Sequence, residues 1–273
     1  MIELNKYNLN QYSAFFSHFI DETKKNLILF CEELSSKIDY FCKHISGINK
    51  ADNVFYNGEI LFDNKNYFDT RIFLDSNKRY FKTLDEKIIQ IKIINDYGKA
   101  LDSEVLKNNI HDLGIYSYFK KNKLLDKGND LFCIALSLSI FQNRIVRINN
   151  EDILNDKNVL ELINSDSSFG LTVVTNKSDV LFNKNVMRSF DNLFVFTREE
   201  VYKLDVKNDT IYYLSQKEKE YNEKIINEAI CSKNNKLILA KSNKSIKEEY
   251  NRYYKIKELS FLEAIEKFDK EDN

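Results

Sequence analysis

The chain has 273 residues, of which 43% are hydrophobic and 30% charged, with a formal net charge of -1. This composition excludes a disordered chain, and the balanced charge gives no overall attraction to nucleic acid or to anionic membranes. No apolar run approaches the about 20 residues that span a bilayer, and the N-terminus does not resemble a signal peptide, so we expect a cytoplasmic protein without a membrane partner. The four cysteines form no CxxC pair and the three histidines are dispersed, so we predict no metal and no cofactor.

The first predicted unit is a small helical domain over residues 1–48. Within 11–46, apolar residues recur at three- and four-residue spacing, which is typical of an amphipathic helix, and Gly47 follows as a helix stop. A linker with short strands is predicted over 49–82, because short aromatic and β-branched runs alternate there with turn residues.

Residues 83–273 are predicted to form an α/β domain, because strand-like runs alternate with helical patterns. Such alternation is typical of a doubly wound, mainly parallel sheet with helices on its faces. The predicted strands are Lys87–Ile94, Ile115–Tyr118, Leu131–Ser139, Leu171–Thr175, Leu193–Thr197 and Lys236–Ala240. The predicted helices are Ser103–Leu113, Ile153–Ile163, Gln216–Ile230 and Phe261–Phe268.

The segment Leu131–Ser139 carries the prediction of a binding site. It has the near-continuous apolar character of a buried parallel strand, and it ends in two hydroxyl residues, Ser137 and Ser139. Ligands of open α/β sheets bind beyond the carboxyl ends of such strands, and Thr175 ends another predicted strand at the same edge. The alternative interpretation is that the two serines only cap a strand-to-helix turn.

Residues 88–197 resemble a sugar isomerase (SIS) domain, a doubly wound module that binds phosphosugars. The resemblance rests on KIIQIKIINDYGKALDSEVLKNNIHDLGI, KLLDKGNDLFCIALSLS, LTVVTNKSDVLFNKN and FDNLFVF. It implies a phosphate site at the start of a helix, where backbone N–H groups are free. The residues that it implies for this phosphosugar site are Ser137, Ser139, Thr175, Gly98 and Ser103.

The N-terminal segment SSKIDYFCKHISG resembles the recognition helix of ribose-phosphate-isomerase-repressor (RpiR) regulators, which join a helix-turn-helix to a SIS domain. This resemblance implies a homodimer that contacts DNA through Ser36, Lys37, Tyr40 and Lys43. A rival resemblance, carried by LTVVTN and KLILAKSNKSIKEEY, is to the sugar-phosphate-sensing domain of DeoR-type repressors. Both imply the same class of ligand.

These resemblances lead to the hypothesis of a sugar-phosphate-responsive transcriptional regulator. Two alternatives stay open: a protein-interaction or dimerisation module with a degenerate SIS-like domain, and an enzyme similar to phosphosugar isomerases. An enzyme would need a proton-transfer base beside the ligand. The sequence contains no G-x-G-x-x-G, no P-loop and no G-x-S-x-G motif, and it offers no evident catalytic set.

Overall fold

The computed structural model describes residues 1–9, 16–56, 58–61, 72–77, 89, 101–120, 127–140, 143–150, 152–165, 170–197, 200–216, 229–233, 236–239 and 254–270. The strands in these ranges are β1 Ile2–Tyr7, β2 Phe16–Ile20, β3 Lys25–Phe30, β4 Val54–Tyr56, β5 Glu59–Ile60, β6 Ile72–Asp75, β7 Arg144–Arg147, β8 Leu171–Thr175, β9 Asn192–Phe196, β10 Val201–Asp205, β11 Thr210–Gln216, β12 Cys231–Lys233, β13 Lys236–Leu239 and β14 Tyr254–Ser260.

The α-helices in the same ranges are α1 Ile38–Ile45, α2 Ser103–Asp112, α3 Ile115–Lys120, α4 Asn129–Ser137, α5 Asp152–Asn155, α6 Lys157–Ser165, α7 Lys184–Arg188 and α8 Phe261–Lys270. Two 3₁₀ helices span Glu32–Lys37 and Ser178–Phe182. Of the helices that the structure describes, none is long and apolar enough to cross a membrane.

A six-stranded sheet forms the centre of the fold, in the order β10-β9-β3-β8-β7-β6. The strands from β9 to β6 run parallel, and only β10 pairs antiparallel. Parallel strands are buried on both faces, which explains the unbroken apolar runs of β3 and β8. The prediction of an α/β fold with a mainly parallel sheet is confirmed.

Two antiparallel sheets of four strands flank the central one, in the orders β2-β1-β4-β5 and β12-β13-β11-β14. Along β3, alternate side chains enter different cores: Ile28 and Phe30 pack towards the first antiparallel sheet and α1, whereas Leu27 and Leu29 pack under the remaining helices. Each face of the central sheet therefore has its own apolar core.

The predicted N-terminal helical domain is wrong. Residues 1–30 contribute β1, β2 and β3, and β3 lies in the middle of the central sheet between β8 and β9. The predicted helical stripe mixed two patterns, because the four consecutive apolar residues of β3 face both cores while only α1 has helical periodicity. A SIS-like arrangement is not supported either. The division of the remaining chain at residue 82 stays a prediction.

Two predicted strands are helices. Leu131–Ser139 falls mainly in α4, whose nine residues are all buried, and Ile115–Tyr118 lies in α3. The run Leu131–Leu136 is apolar throughout and has no polar side, so its sequence cannot distinguish a buried strand from a buried helix. Most of the predicted strand 87–94 and of the predicted helix 216–230 lies outside the described residues. The strands β8, β9 and β13 and the helices α2 and α8 were predicted correctly, apart from their ends, whereas the predicted helix Ile153–Ile163 is divided into α5 and α6.

Candidate functional site

The carboxyl edge of the central sheet is the candidate site, because ligands of open α/β sheets bind there. Five parallel strands end at this edge, and the segments that follow β3, β6 and β7 carry most of its polar groups. What this edge can bind depends on which of those groups already have hydrogen-bond or ion-pair partners within the protein.

The segment after β3 has the strand–loop–helix order of a phosphate-binding P-loop. A P-loop follows G-x-x-x-x-G-K-[ST], in which backbone N–H groups and the lysine hold phosphates and the final hydroxyl binds Mg²⁺. At the same spacing this chain has Cys31, Ser36, Lys37 and Ile38. Only the lysine matches the motif.

The local structure after β3 is a 3₁₀ helix, and three N–H groups in and beside it already have backbone partners. The N–H of Cys31 donates to the carbonyl oxygen of Phe196 at 2.9 Å, and the N–H of Leu34 donates to that of Cys31 at 3.0 Å. The N–H of Ile38 donates to the carbonyl oxygen of Ser35. These three N–H groups are therefore not free to cradle a phosphate.

The charges and side chains of this segment also disfavour a bound Mg–nucleotide. Glu32 and Glu33 lie exposed in the first turn, where carboxylates repel an anion. Ile38 is buried, and its side chain has no oxygen to offer a cation in place of the motif's hydroxyl. Burial, together with Glu33, raises the pKa of the Cys31 thiol, so that this side chain stays neutral. The segment therefore lacks both the anion cradle and the metal ligand.

A polar network occupies the edge beyond β7. The buried carboxylate of Asp130, on α4, accepts hydrogen bonds from the backbone N–H of Asn149 at 3.1 Å and of Asn150 at 2.9 Å. The side-chain amide of Asn149 donates to the hydroxyl of Ser76 at 2.6 Å, and that of Asn129 donates to the Ser76 carbonyl. These contacts tie α4 to the ends of β6 and β7.

The second carboxylate at this edge is also engaged. Asp75, at the end of β6, is buried and lies 3.9 Å from the guanidinium of Arg147. In P-loop NTPases Mg²⁺ is held by the loop hydroxyl together with an aspartate. Here Asp75 faces an arginine, Asp130 binds backbone donors, and the two residues after Ile148 are the amides Asn149 and Asn150.

Ser137 and Ser139 do not lie at a strand end. Ser137 ends α4 and Ser139 follows it, both are buried, and their hydroxyls donate to the carbonyl oxygens of Ile134 at 2.8 Å and Ala135 at 2.7 Å. The prediction that they project from the sheet edge is wrong, because the segment before them is helical. Back-bonding of this kind satisfies buried hydroxyls within their own helix.

The other predicted ligand residues lie in different places. Thr175 does end β8, where its hydroxyl oxygen accepts from the N–H of Lys177 at 3.2 Å. Ser103 begins α2, whose N-cap residue Asp102 donates its N–H to the carbonyl oxygen of Ser139. Gly98 lies outside the described residues. The structure thus brings Ser103 and Ser139 close together, away from a strand end.

The residues predicted to contact DNA lie on the 3₁₀ helix and on α1. Ser36 and Tyr40 are exposed, Lys37 is half-buried, and Lys43 forms an ion pair with Asp39 at 2.6 Å. α1 follows β3 and packs its apolar side against the central sheet. It is not the second helix of a helix-turn-helix, and that prediction is wrong.

The fold is that of an ATP-binding cassette of the ABC-transporter type. A dimeric bacterial ABC transporter cassette aligns with 77% of this chain and 100% of its own, at 14% identity and a TM-score of 0.54. An ATP-binding subunit of an ABC transporter aligns with 76% of this chain and 90% of its own, at 14% identity and a TM-score of 0.50. The sequence matches no protein-family model and no curated protein.

The cassette fold overturns the resemblance to RpiR regulators and SIS domains, and with it the predicted function. That resemblance led us to expect a sugar-phosphate-responsive transcriptional regulator. The two alternatives, an interaction module and an isomerase-like enzyme, also depended on a SIS-like domain, and the cassette fold supports none of the three. The same finding removes the basis for the phosphosugar ligand, the DNA, the homodimer and the absence of a membrane partner. Solved proteins with this fold are described as parts of ABC transporters.

The sequence alone does not identify Cys31–Ile38 as a P-loop position, because Cys31 and Ser36 replace the two glycines of the motif. Ser36 and Lys37 were instead assigned to a DNA-binding helix. A usable signal was present: the apolar run Leu27–Phe30 is followed by a Ser-Lys pair and then by an amphipathic helix. Reading that run as a strand would have placed Lys37 at the right position.

Proposed function

We propose that this chain is a cassette-fold subunit that does not hydrolyse ATP and acts as the partner of a catalytically complete cassette. One observation carries the proposal: in the segment between β3 and α1, a 3₁₀ helix replaces the glycine-rich loop, and Ile38 stands at the Mg²⁺-binding position. The cassette fold is retained while the groups that the chemistry needs are replaced.

Phosphoryl transfer in P-loop enzymes relies on positioning and on electrostatic stabilisation of the phosphates. In this segment Lys37, in the last turn of the 3₁₀ helix, supplies a single positive charge, and the negative charges of Glu32 and Glu33 in the first turn oppose it. Asp75 and Asp130, the buried carboxylates at the edge, are engaged by Arg147 and by backbone N–H groups. Both carboxylates therefore already have partners within the protein, which supports a site that does not bind Mg²⁺.

We infer the type of partner, a second cassette, from the fold. A cassette with which this chain aligns is described as dimeric, and the related structures belong to ABC transporters. A cassette without its own catalytic groups retains a role if it pairs with a complete one. The proposed location is therefore the cytoplasmic face of a membrane, reached through the transporter.

The hydrolysis test uses the purified chain and its Lys37→Ala variant. We expect no Mg²⁺-dependent ATP hydrolysis above background, and the same small change in melting temperature with Mg-ATP for both proteins. Lys43→Ala is the matched control, since Lys43 lies on α1 in an ion pair with Asp39. Hydrolysis by the wild type that is lost in Lys37→Ala and kept in Lys43→Ala would overturn the proposal.

The partner test isolates the tagged chain from its native cells and identifies the bound proteins by mass spectrometry. We expect a second cassette whose sequence contains a complete G-x-x-x-x-G-K-[ST] motif. The reconstituted pair should hydrolyse ATP, and a lysine substitution in the partner's motif should abolish that activity. Recovery of the chain alone, or with proteins that lack the motif, would contradict the assignment.

A further inference from the structure

An apolar row crosses the outer face of the first antiparallel sheet. In register, Phe19 on β2 lies opposite Glu3 on β1, Glu3 opposite Phe55 on β4, and Phe55 opposite Ile60 on β5. Directly opposed residues project from the same face of a sheet. The alternate residues of β1, which include Leu4, enter the core, so the row faces outwards.

The members of the row are large side chains that the described residues leave uncovered. Phe19 is 48% exposed and Ile60 39%, Phe55 is half-buried, and Met1, which precedes β1, is 56% exposed. Scattered apolar residues are normal on a surface, whereas a continuous row is a feature of interaction sites. A sheet face of this kind is normally covered by another layer.

The negative charge of Glu3 indicates which kind of molecule binds this face. Glu3 is half-buried between two phenylalanines, and among the described residues no side chain forms an ion pair with it. A second copy of this chain that covered the row about a twofold axis through its middle would bring the two Glu3 carboxylates close together. Anionic lipid would meet the same carboxylate. A protein segment with a basic residue among apolar ones complements the row.

We propose that this face binds an amphipathic helix of a partner protein that carries one Lys or Arg within its apolar stripe. Three strand spacings of about 4.8 Å separate Phe19 from Ile60, or about 14 Å, which is the length of about ten helical residues. Each spacing is close to one helical turn of about 5.4 Å. A helix that lies across the strands therefore places one side chain per turn over each residue of the row, and the basic side chain lies over Glu3.

The test selects helical peptides of about 14 residues from a display library on the wild-type chain, after subtraction on Phe19→Ser. We expect enriched peptides with the order apolar, basic, apolar, apolar at one-turn spacing. Their affinity, measured by fluorescence anisotropy, should fall about tenfold or more on Phe19→Ser and on Glu3→Lys. Exchanging the basic residue of the peptide for Glu should restore binding to Glu3→Lys.

The controls separate this surface from the fold and from the proposed function. Tyr116→Ser removes another exposed aromatic residue, on α3, and should leave binding unchanged. Circular dichroism checks that each variant is folded, and Ile60→Ser replaces Phe19→Ser if that variant is not. Peptide binding does not depend on ATP hydrolysis, so either proposal can fail alone.

Three outcomes would overturn the assignment. The first is the absence of enriched peptides, or enriched peptides that lack a basic residue or bind Glu3→Lys as well as the wild type. The second is a concentration-dependent dimer in sedimentation that Phe19→Ser abolishes, which would give the face to a second copy. The third is binding to phosphatidylserine-containing vesicles that Phe19→Ser abolishes, which would give it to a membrane.

Discussion

Replacing Asp130 by Ala should destabilise the carboxyl edge of the sheet. The Asp130 carboxylate is buried and accepts hydrogen bonds from the N–H groups of Asn149 and Asn150, at 3.1 and 2.9 Å. Each N–H left without its acceptor costs about 1 to 3 kcal/mol when fully buried. Both donors are partly buried, so about 1 to 2 kcal/mol each, or about 2 to 4 kcal/mol together, is the expected loss. Asp130→Asn keeps one acceptor oxygen and should lose about half as much.

The assay is urea unfolding followed by circular dichroism, with the free energies of unfolding compared at a common m-value. Asp112→Ala is the matched control, because Asp112 is exposed on a neighbouring helix and should change the free energy of unfolding by less than about 0.5 kcal/mol. A loss below about 1 kcal/mol for Asp130→Ala would refute the reasoning, since the network would then contribute no more than an ordinary surface contact.

Two further predictions concern groups remote from that edge. Burial lowers the pKa of His44, so the unfolded chain binds the proton more tightly and stability declines as the pH falls through about 6.5; His44→Gln should flatten the melting temperature between about pH 7 and 5. An unchanged slope would show that His44 is not the group responsible. At Gly170, a Cβ atom would overlap the backbone carbonyl of Glu22, so Gly170→Ala should lower the free energy of unfolding by about 3 kcal/mol in urea titrations. A loss within about 0.5 kcal/mol would mean that the turn before β8 adjusts freely.

Much of the local structure could be predicted because its pattern had one clear period. β8 and β9 are short β-branched or aromatic runs, and α2, α6 and α8 have one apolar side, so each could be assigned from its own residues. The errors fall where that signal is absent. Every residue of α4 is buried, and β3 is buried on both faces, so neither has a polar side to mark its period.

The candidate site was predicted only in its general position, at the carboxyl edge of a parallel sheet. Thr175 was placed there correctly, whereas Ser137 and Ser139 were not, because their position depended on α4 being a strand. Lys37 was singled out for the wrong reason: its meaning depends on the strand before it and on the 3₁₀ helix that carries it.

The sequence by itself determined the class of the fold, since alternating apolar periodicities specify strands and helices locally and such alternation favours a parallel sheet. Only the tertiary structure decided which strands are neighbours. β3, near the N-terminus, lies between β8 and β9 from the second half of the chain, and this pairing makes Cys31–Ile38 part of the carboxyl edge. Pairing between distant strands depends on backbone hydrogen bonds and on packing against both cores, and these leave no trace in local periodicity.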